Sequence, residues 1–429
     1  MSRPVRPLPE RHLRPPMGWN SWDCYGTTVT EDEVLANAAF LHEHLLPYGW
    51  DTVVVDIQWY EPTARSHGYN ENPPVVLDAY GRQLPAPNRF PSAADGAGFK
   101  PLADRVHGLG LRFGLHIMRG IPRRAVAARL PVAGTGFTAD EVADTGSVCP
   151  WNPDNYGLNH DHPGAQAYYD AQVAQFAAWG VDFVKADDML FPYHDREIAA
   201  YGRAIERSGR PIELSLSPGT DVSLAHLGHL RENATMWRVC DDLWDRWEDV
   251  EAQFARMARW APGQGPAGWA DADMLPLGRI GIRAERGEDR VSRLTRDEQV
   301  SLLTLWFVSR SPLMMGGDLP TSPPETIGLL TNGEALEVLL HGRDSREVLR
   351  EGDLVLWTAD DSDGRTRYAA VFSLADTPET VTVPLGSIGA LPDDRVRDLW
   401  TRTDTPHDGR ALTLALPAHG CALLRLTPA

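Results

Sequence analysis

Residues 17–316 alternate between short apolar segments and longer amphipathic segments, and this alternation limits the folds open to the chain. The clearest short segment is 181–189, Val-Asp-Phe-Val-Lys-Ala-Asp-Asp-Met, an apolar run that ends in one lysine and two carboxylates. Strands of a parallel sheet look like this because both faces are buried and charge appears where the strand leaves the sheet. Strands that alternate with helices predict a parallel sheet with helical crossover connections.

Eight strands are predicted by this reading, at 17–22, 51–56, 111–116, 181–189, 211–216, 235–239, 268–274 and 311–316. Predicted helices separate them, at 30–46, 99–109, 162–178, 192–208, 222–232, 247–260 and 295–309. Polar residues stand at or just after the strand ends, namely Asp56, His116, Asp187, Ser217, Asp242 and Asp273. Barrel enzymes build their active sites at that face, so we predict a (β/α)8 TIM barrel of the α/β class. The alternative, a doubly wound open sheet, usually carries a glycine-rich phosphate loop after its first strand, where this chain has Asn-Ser-Trp-Asp.

From roughly residue 345 the sequence changes to short β-type runs separated by Asp, Gly and Pro turns. This texture predicts a C-terminal antiparallel β-sandwich, so the domains are expected at 1–340 for the catalytic barrel and 341–429 for the sandwich. The stretch 117–160 is expected to be long and irregular, and loops of that length in compact domains are usually functional.

The formal net charge of −18 argues against nucleic acid or an anionic membrane as a partner. We find no apolar stretch long enough to span a bilayer and no secretory signal, and the four cysteines form no CxxC pair. We therefore expect a cytoplasmic protein. His160-Asp161-His162 is a candidate metal-ligand set, but such histidines are more often N-caps or surface residues, so we predict neither metal nor other cofactor.

The predicted strand ends would gather carboxylates, a lysine, an arginine and tryptophans in one pocket. On a strand, Lys185 and Asp187 point to the same side, and the cation would keep Asp187 ionised and ready to attack. Two carboxylates that flank a bond are the machinery of glycoside hydrolysis, and aromatic faces suit the apolar side of a sugar ring. A metal-dependent hydrolase is a rival interpretation, and no G-x-S-x-G elbow supports a serine nucleophile.

Five motifs in order resemble glycoside hydrolase family 27, which contains α-galactosidases, α-N-acetylgalactosaminidases and some β-L-arabinopyranosidases. They are Met-Gly-Trp-Asn-Ser-Trp at 17–22, Lys-Ala-Asp at 185–187, Trp-Arg at 237–238 with Asp242 four residues later, Trp-x-Asp-x-Asp-Met at 269–274, and Ser-Pro-Leu-Met-Met-Gly-Gly-Asp-Leu at 311–319. The resemblance covers nearly the whole chain.

The resemblance implies a retaining exo-glycosidase for terminal α-linked galactose-type sugars. Asp187 takes the place of the nucleophile and Asp242 that of the general acid/base, with Asp241 as its rival. Retention predicts that the two carboxyl groups lie roughly 5–5.5 Å apart. The predicted sugar-binding residues are Trp22, Asp56, Trp59, His116, Lys185, Ser217, Arg238 and Asp273.

Some positions depart from the family pattern. Many members carry a second aspartate where this chain has Ile57, so that hydroxyl contact is either missing or supplied by another group such as Gln58. Met189 replaces a cysteine that is often disulfide-bonded, and Arg119 is a new charge that contacts either substrate or Asp188. The small Ser217 leaves room for an acetamido group and favours α-N-acetylgalactosaminidase over α-galactosidase.

Two further alternatives stay open at this point. β-L-arabinopyranosidase follows if Ile57 removes recognition of the hexose 6-hydroxyl. A non-catalytic carbohydrate-binding barrel is the candidate from another class. The expected partner is a carbohydrate substrate, and the sequence leaves room for a homo-oligomer without fixing the oligomeric state.

Overall fold

The computed structural model describes residues 13–220 and 222–429. Eight parallel strands form one sheet in the order β7-β6-β5-β4-β3-β2-β1-β8. The strands are β1 Met17–Asn20, β2 Thr52–Val55, β3 Arg112–Met118, β4 Phe183–Asp187, β5 Glu213–Leu216, β6 Met236–Arg238, β7 Trp269–Asp271 and β8 Leu313–Met315. The sheet closes after β7, where Leu275 donates its backbone N–H to the Met314 carbonyl (2.8 Å) and accepts from Gly316 (3.0 Å). The (β/α)8 barrel predicted from the strand alternation is confirmed.

The helices cover the outside of the barrel. They are α1 Glu31–Phe40, α2 Lys100–Gly108, α3 Pro163–Trp179, α4 Asp195–Ser208, α5 Leu227–Asn233, α6 Trp247–Trp260, α7 Arg296–Ser309, α8 Pro324–Leu330 and α9 Gly333–His341. A capping box of Thr30 and Glu33 begins α1, with the Glu33 carboxylate accepting the Thr30 N–H at 2.9 Å. Turns of π and 3-10 geometry continue α1 to Tyr48. In the part of the chain that is described, no helix is long and apolar enough to cross a membrane.

The segment 117–160 is more ordered than its sequence predicted. It contains a small antiparallel sheet in which strand Asn155–Leu158 pairs with both Ile121–Pro122 and Ala143–Val148. The short helices Arg123–Ala127 and Ala139–Val142 lie between these strands. Elements of two to six residues are too short to show a hydrophobic period, which is why the sequence predicted an irregular loop.

Two helices begin later than predicted. Helix α4 begins at Asp195, and the predicted first-turn proline, Pro192, lies in the preceding loop. Helix α5 begins at Leu227, after a single 3-10 turn at Leu224–His226. A proline is equally suited to a loop and to a first helical turn, so the sequence alone could not distinguish them.

The C-terminal region is an antiparallel β domain of two layers. One layer is a six-stranded sheet in the order β9-β10-β11-β16-β13-β14, and the other is the ribbon β12-β15. The strands are β9 Gly342–Glu351, β10 Leu354–Asp361, β11 Arg367–Ser373, β12 Glu379–Pro384, β13 Arg395–Asp398, β14 Thr403–Asp404, β15 Ala411–Leu416 and β16 Cys421–Thr427. The C-terminal antiparallel β domain expected from the sequence is confirmed.

The central strands β10, β11 and β16 are buried on both faces, because their residues alternate between two hydrophobic clusters. Trp357 and Phe372 belong to the core shared with the barrel, whereas Leu356 and Val371 belong to the core beneath the ribbon. The ring of Phe372 meets Phe254 of α6 edge-on at 4.9 Å. The β domain is therefore packed onto the barrel helices rather than tethered to them.

Candidate active site

Most of the predicted site residues meet at the C-terminal ends of the barrel strands. His116 lies on β3, Lys185 and Asp187 on β4, and Arg238 ends β6. Asp56, Ser217, Asp242 and Asp273 lie just after strands β2, β5, β6 and β7. The hydrogen bonds described below join these side chains into two groups, one around Asp187 and one around Arg238.

Asp187 ends β4 and is the best-supported candidate nucleophile. Its Oδ1 accepts from the Asp188 backbone N–H (2.8 Å) and the Ser217 hydroxyl (3.2 Å), and its Oδ2 lies 3.1 Å from His116 Nε2. Burial opposes ionisation, but the His116 hydrogen bond and the Lys185 charge outweigh it and hold the pKa of Asp187 below its usual range. The side chain is still 20% exposed. The site therefore presents an ionised, oriented carboxylate to its opening.

Lys185 bonds to Asp56 rather than to Asp187. Its Nζ donates to Asp56 Oδ2 at 2.9 Å, and the amide of Asn20 donates to the same oxygen at 2.8 Å. Burial raises the pKa of Asp56, yet the charges of Lys185 and His116 bring it below the ordinary value. The ammonium group is therefore bonded to the carboxylate that follows β2, and the Lys185 charge lowers the pKa of Asp187 through space.

Arg238 forms the second group. Its guanidinium donates to Asp242 Oδ1 at 3.1 Å and lies 2.8 Å from Asp273 Oδ1. Burial and the Asp242 charge raise the pKa of Asp273 despite this contact with Arg238. Asp242 is 35% exposed and is fixed through one oxygen, which leaves Oδ2 available for proton exchange. Asp241 is exposed and accepts the Asp242 backbone N–H at 3.0 Å. The arginine thus orients Asp242, the residue preferred from the sequence.

The two predicted tryptophans occupy different environments. Trp22 begins a short helix at the site and donates its backbone N–H to Asn20 Oδ1 at 2.8 Å. Trp59 is completely buried, and its ring packs against Phe99 and Trp179. Its indole N–H donates to the His116 carbonyl at 2.7 Å. The structure therefore does not place Trp59 among the groups open to a sugar; it supports β3 from behind.

Tyr69 and Asn20 belong to the site but were missed by sequence reasoning. Burial and then the charges of Asp187, Asp56 and Asp242 raise the pKa of the Tyr69 phenol, so the half-buried Tyr69 feels the field of the candidate catalytic carboxylates. It comes from the long connection between β2 and α2, where no periodic pattern exists. The unusual length of that connection is the signal that could have pointed to it.

The candidate metal ligands serve other purposes. His162 caps α3 by accepting the Gly164 N–H at 3.1 Å, Asp161 pairs with Arg196 at 2.7 Å, and His160 Nε2 lies 2.9 Å from Glu197. Across residues 13–220 and 222–429 no group of three or more His, Cys, Asp or Glu side chains has the arrangement of a metal site. His162 is therefore an N-cap, one of the two roles that the sequence analysis gave as more common for such histidines.

Comparison with known proteins matches both parts of the chain. A family model described as alpha galactosidase A matches residues 154–339, and one described as the alpha galactosidase C-terminal beta sandwich domain matches residues 351–426. Among curated relatives, an α-galactosidase of Cyamopsis tetragonoloba is 26% identical over 96% of this chain and 86% of its own length.

Solved structures are more similar still. A β-L-arabinopyranosidase of glycoside hydrolase family 27 from Geobacillus stearothermophilus is 49% identical, with a TM-score of 0.95 and 98% of both chains covered. A protein from Bacillus halodurans, provisionally assigned as an α-N-acetylgalactosaminidase, is 44% identical, with a TM-score of 0.87 and 97% of both chains covered. These similarities extend over the barrel and the β domain together.

Proposed function

This chain belongs to glycoside hydrolase family 27, and from that premise we propose that it is a retaining exo-glycosidase that prefers β-L-arabinopyranosides. The wider class, an α-galactosidase-type glycoside hydrolase, follows from its relatives. The stereochemical course and the preferred sugar are our proposals. They rest on the contacts of Asp187, Asp242 and the residues that follow β2.

In the first proposed step, Asp187 attacks the anomeric carbon and forms a glycosyl ester while the bond to the leaving oxygen breaks. Asp187 Oδ1 already accepts two hydrogen bonds and Oδ2 accepts one, so Oδ2 has the freer lone pair for attack. Asp242, through the oxygen not held by Arg238, gives a proton to the leaving oxygen. It then takes a proton from the water that hydrolyses the ester.

Sugar hydroxyls are proposed to bind the polar groups between these carboxylates. The Lys185 ammonium can donate to a hydroxyl as well as to Asp56, because it has three N–H groups. Trp22 and Tyr69 supply aromatic surface for the ring. His116 contacts Asp187 through Nε2 and thereby orients the nucleophile.

Ile57 carries the proposal for the preferred sugar. β-L-Arabinopyranose has the ring hydroxyl arrangement of α-D-galactopyranose but lacks the hydroxymethyl group at C5. An isoleucine offers that hydroxymethyl no hydrogen bond, and an unmade buried hydrogen bond costs about 1–3 kcal/mol. The β-L-arabinopyranosidase of G. stearothermophilus, similar over nearly the whole chain, supports the same choice.

Gln58 does not replace the missing carboxylate. Its amide nitrogen donates to both oxygens of Asp154, at 2.9 and 2.7 Å, and Tyr60 donates to the same carboxylate at 2.6 Å. The alternative left open by the sequence, in which Gln58 contacts the sugar, therefore loses its support.

α-N-Acetylgalactosaminidase activity is the second candidate, supported by the small Ser217 and by the B. halodurans relative. The Ser217 hydroxyl, however, donates to Asp187. A serine at this position can therefore serve to orient the nucleophile, independently of any acetamido group.

The test compares kcat/KM on aryl β-L-arabinopyranoside, aryl α-D-galactoside and aryl α-N-acetylgalactosaminide. We expect a preference of about tenfold or more for the arabinoside over the galactoside, the equivalent of one unsatisfied hydrogen bond. The variant Ile57→Asp should shift the preference towards the galactoside, whereas the control Ile57→Val should not. A wild-type preference for the acetamido sugar would overturn the proposal in favour of the second candidate.

A further inference from the structure

Arg119 lies next to the candidate nucleophile, and its guanidinium is engaged by the protein rather than by a substrate, because Nε, Nη1 and Nη2 all contact protein groups. It follows the last residue of β3, and its backbone N–H donates to the Asp187 carbonyl at 3.1 Å. Its side chain then turns to the next residue, where Nε donates to the Asp188 carbonyl at 3.0 Å and Nη2 lies 2.8 Å from Asp188 Oδ2. One arginine therefore binds both the backbone carbonyl and the side-chain carboxyl group of Asp188.

The peptide that Arg119 holds is one that orients Asp187. The Asp188 backbone N–H donates to Asp187 Oδ1 at 2.8 Å. Asp188 has a φ of +59°, a left-handed conformation that few non-glycine residues adopt without support. The β3–β4 ladder ends at the pair Met118 and Asp187, so the sheet no longer fixes residue 188. The Arg119 contacts take over where the strand pairing stops.

Arg119 is itself held from the opposite side. Its Nη1 donates to Ser147 Oγ at 2.9 Å and lies 3.6 Å from Glu197 Oε1. Glu197 of α4 also accepts from the Leu158 backbone N–H (3.2 Å) and from the Tyr169 hydroxyl. A buried polar chain thus runs from the nucleophile through Arg119 to the strands 143–148 and 155–158 and to helices α3 and α4.

We propose that Arg119 is a positioning residue for the reaction: by clamping Asp188 it aims the Asp188 N–H at Asp187 Oδ1 and fixes the rotamer of the nucleophile. This inference rests on the proposed role of Asp187. A planar fork with several donors suits the task, since it binds a carbonyl and a carboxylate at once, which a lysine cannot do in the same geometry. Asp188 acts with Arg119 as the second half of the clamp.

The variant Arg119→Lys keeps the charge and removes the fork. We expect kcat on an aryl glycoside to fall about 10–100-fold while KM changes less than about threefold, because residues that orient a reacting group typically contribute this much and the sugar contacts stay in place. The rate at which an epoxide sugar analogue esterifies Asp187 should fall in parallel, with unchanged initial affinity for the analogue. A residue with a purely structural role would lower the thermal midpoint and leave these rates unchanged.

The chain offers a matched control at the other end of β4. Arg210 donates from Nε to the Val181 carbonyl (2.7 Å) and from Nη2 to the Gly180 carbonyl (2.9 Å) and to Asp182 Oδ1 (2.6 Å). This is the same grip on carbonyls and a carboxylate, far from the site. Arg210→Lys should therefore lower stability and leave kcat and the labelling rate at wild-type values.

Three outcomes distinguish the possibilities. A kcat for folded Arg119→Lys within about twofold of wild type, or a raised KM with unchanged kcat, overturns the positioning role. If that variant does not fold, Asp188→Asn decides, since asparagine tolerates the left-handed conformation and lacks the carboxyl oxygen that Arg119 Nη2 contacts. It should show the same loss of kcat, and wild-type kcat would count against the clamp. A wild-type protein inactive on all three aryl glycosides, or active after Asp187→Asn, refutes the proposed function instead.

Discussion

Strand β4 has a carboxylate at each end, Asp182 just before its first residue and Asp187 as its last. Each accepts three hydrogen bonds or close polar contacts, and their side chains are 19% and 20% exposed. Asp182 meets Arg210 at 2.6 Å, His107 at 2.8 Å and the Phe113 N–H at 3.0 Å. The two carboxylates therefore differ in neither burial nor the number of their partners.

They differ in the nature of those partners. A guanidinium, which stays charged at all ordinary pH values, neutralises Asp182 directly. Asp187 accepts from a backbone amide, a serine hydroxyl and an imidazole, while the nearby lysine is bonded to Asp56. None of these three donors is a guanidinium or an ammonium group, so Asp187 is oriented without a direct bond to a permanent cation. The same strand thus carries a structural carboxylate at one end and one that can act as a nucleophile at the other.

Replacing each carboxylate in turn is the strongest test of this difference. Asp187→Asn should lower kcat by at least about 10³-fold, because the attacking oxygen is lost while the fold keeps an isosteric side chain. Asp182→Asn should leave kcat nearly unchanged and lower the free energy of unfolding by about 1–3 kcal/mol through the weakened Arg210 and His107 contacts. Steady-state kinetics and thermal melting of both variants check this. Comparable activity losses in the two variants would abolish the distinction.

The second test separates the roles of the two carboxylates at the catalytic end. Asp242→Asn removes the proposed proton donor, so the loss should depend on the leaving group: about 10²–10⁴-fold for an alkyl glycoside and much less for a nitrophenyl glycoside. Asp187→Asn should affect both substrates equally. Rates on a series of leaving groups of different pKa provide the measurement. An equal loss on every leaving group would assign Asp242 to sugar binding.

At β4 the sequence correctly predicted the direction of the side chains along the strand. Period-two alternation puts Lys185 and Asp187 on one side of the strand, and the strand-end pattern predicted which barrel face collects the polar residues. Both follow from local geometry, which the chain itself encodes within a few residues. The eight-stranded barrel and the C-terminal β domain were predictable for the same reason, since each repeats a local pattern many times.

Partners across the barrel were not predictable in the same way. Lys185 bonds to Asp56, which is 129 residues away in sequence, and that pairing depends on strand register and side-chain reach. The sequence predicted that Trp59 contacts the sugar, yet its ring is completely buried against Phe99 and Trp179. The sequence offered Arg119 either a substrate or Asp188, and the structure shows the ion pair with Asp188. Such choices depend on tertiary packing that no short motif specifies.

The cations near the two ends of β4, Lys185 and Arg210, are also expected to differ in their roles. Lys185→Met leaves the buried Asp56 without its ammonium partner and removes a proposed hydroxyl contact, so kcat/KM should fall about 100-fold and the thermal midpoint should decrease. Arg210→Met should decrease the midpoint with wild-type kcat/KM. Kinetics at matched folded fractions, checked by circular dichroism, separate the two effects. A Lys185→Met enzyme with wild-type kcat/KM would show that the ammonium serves only the fold.

The smallest expected effect concerns pH and again involves the catalytic end alone. Burial raises the pKa of Asp188 to about 7, against the attraction of Arg119 and with the help of the Asp187 charge. The unfolded carboxyl has a pKa of about 3.9, so between about pH 4 and 7 the folded protein binds a proton that the unfolded chain has released. The Asp188 contribution to stability is therefore complete below about pH 4 and is lost as the pH rises through 7.

Asp188→Asn does not titrate, so its thermal midpoint relative to wild type should rise by roughly 2–6 °C from pH 4 to pH 7. Taking the difference between the two proteins cancels the other titrating groups, provided that the partners facing Asp188, namely Arg119, Asp187 and Glu197, keep their own ionisation states. Melting curves at constant ionic strength provide the difference. Parallel midpoint curves for the two proteins would mean that Asp188 is already ionised at pH 4, because the attraction of Arg119 lowers its pKa more than burial raises it. The contact between Arg119 and Asp188 would then be a permanent ion pair, like that of Asp182 and Arg210.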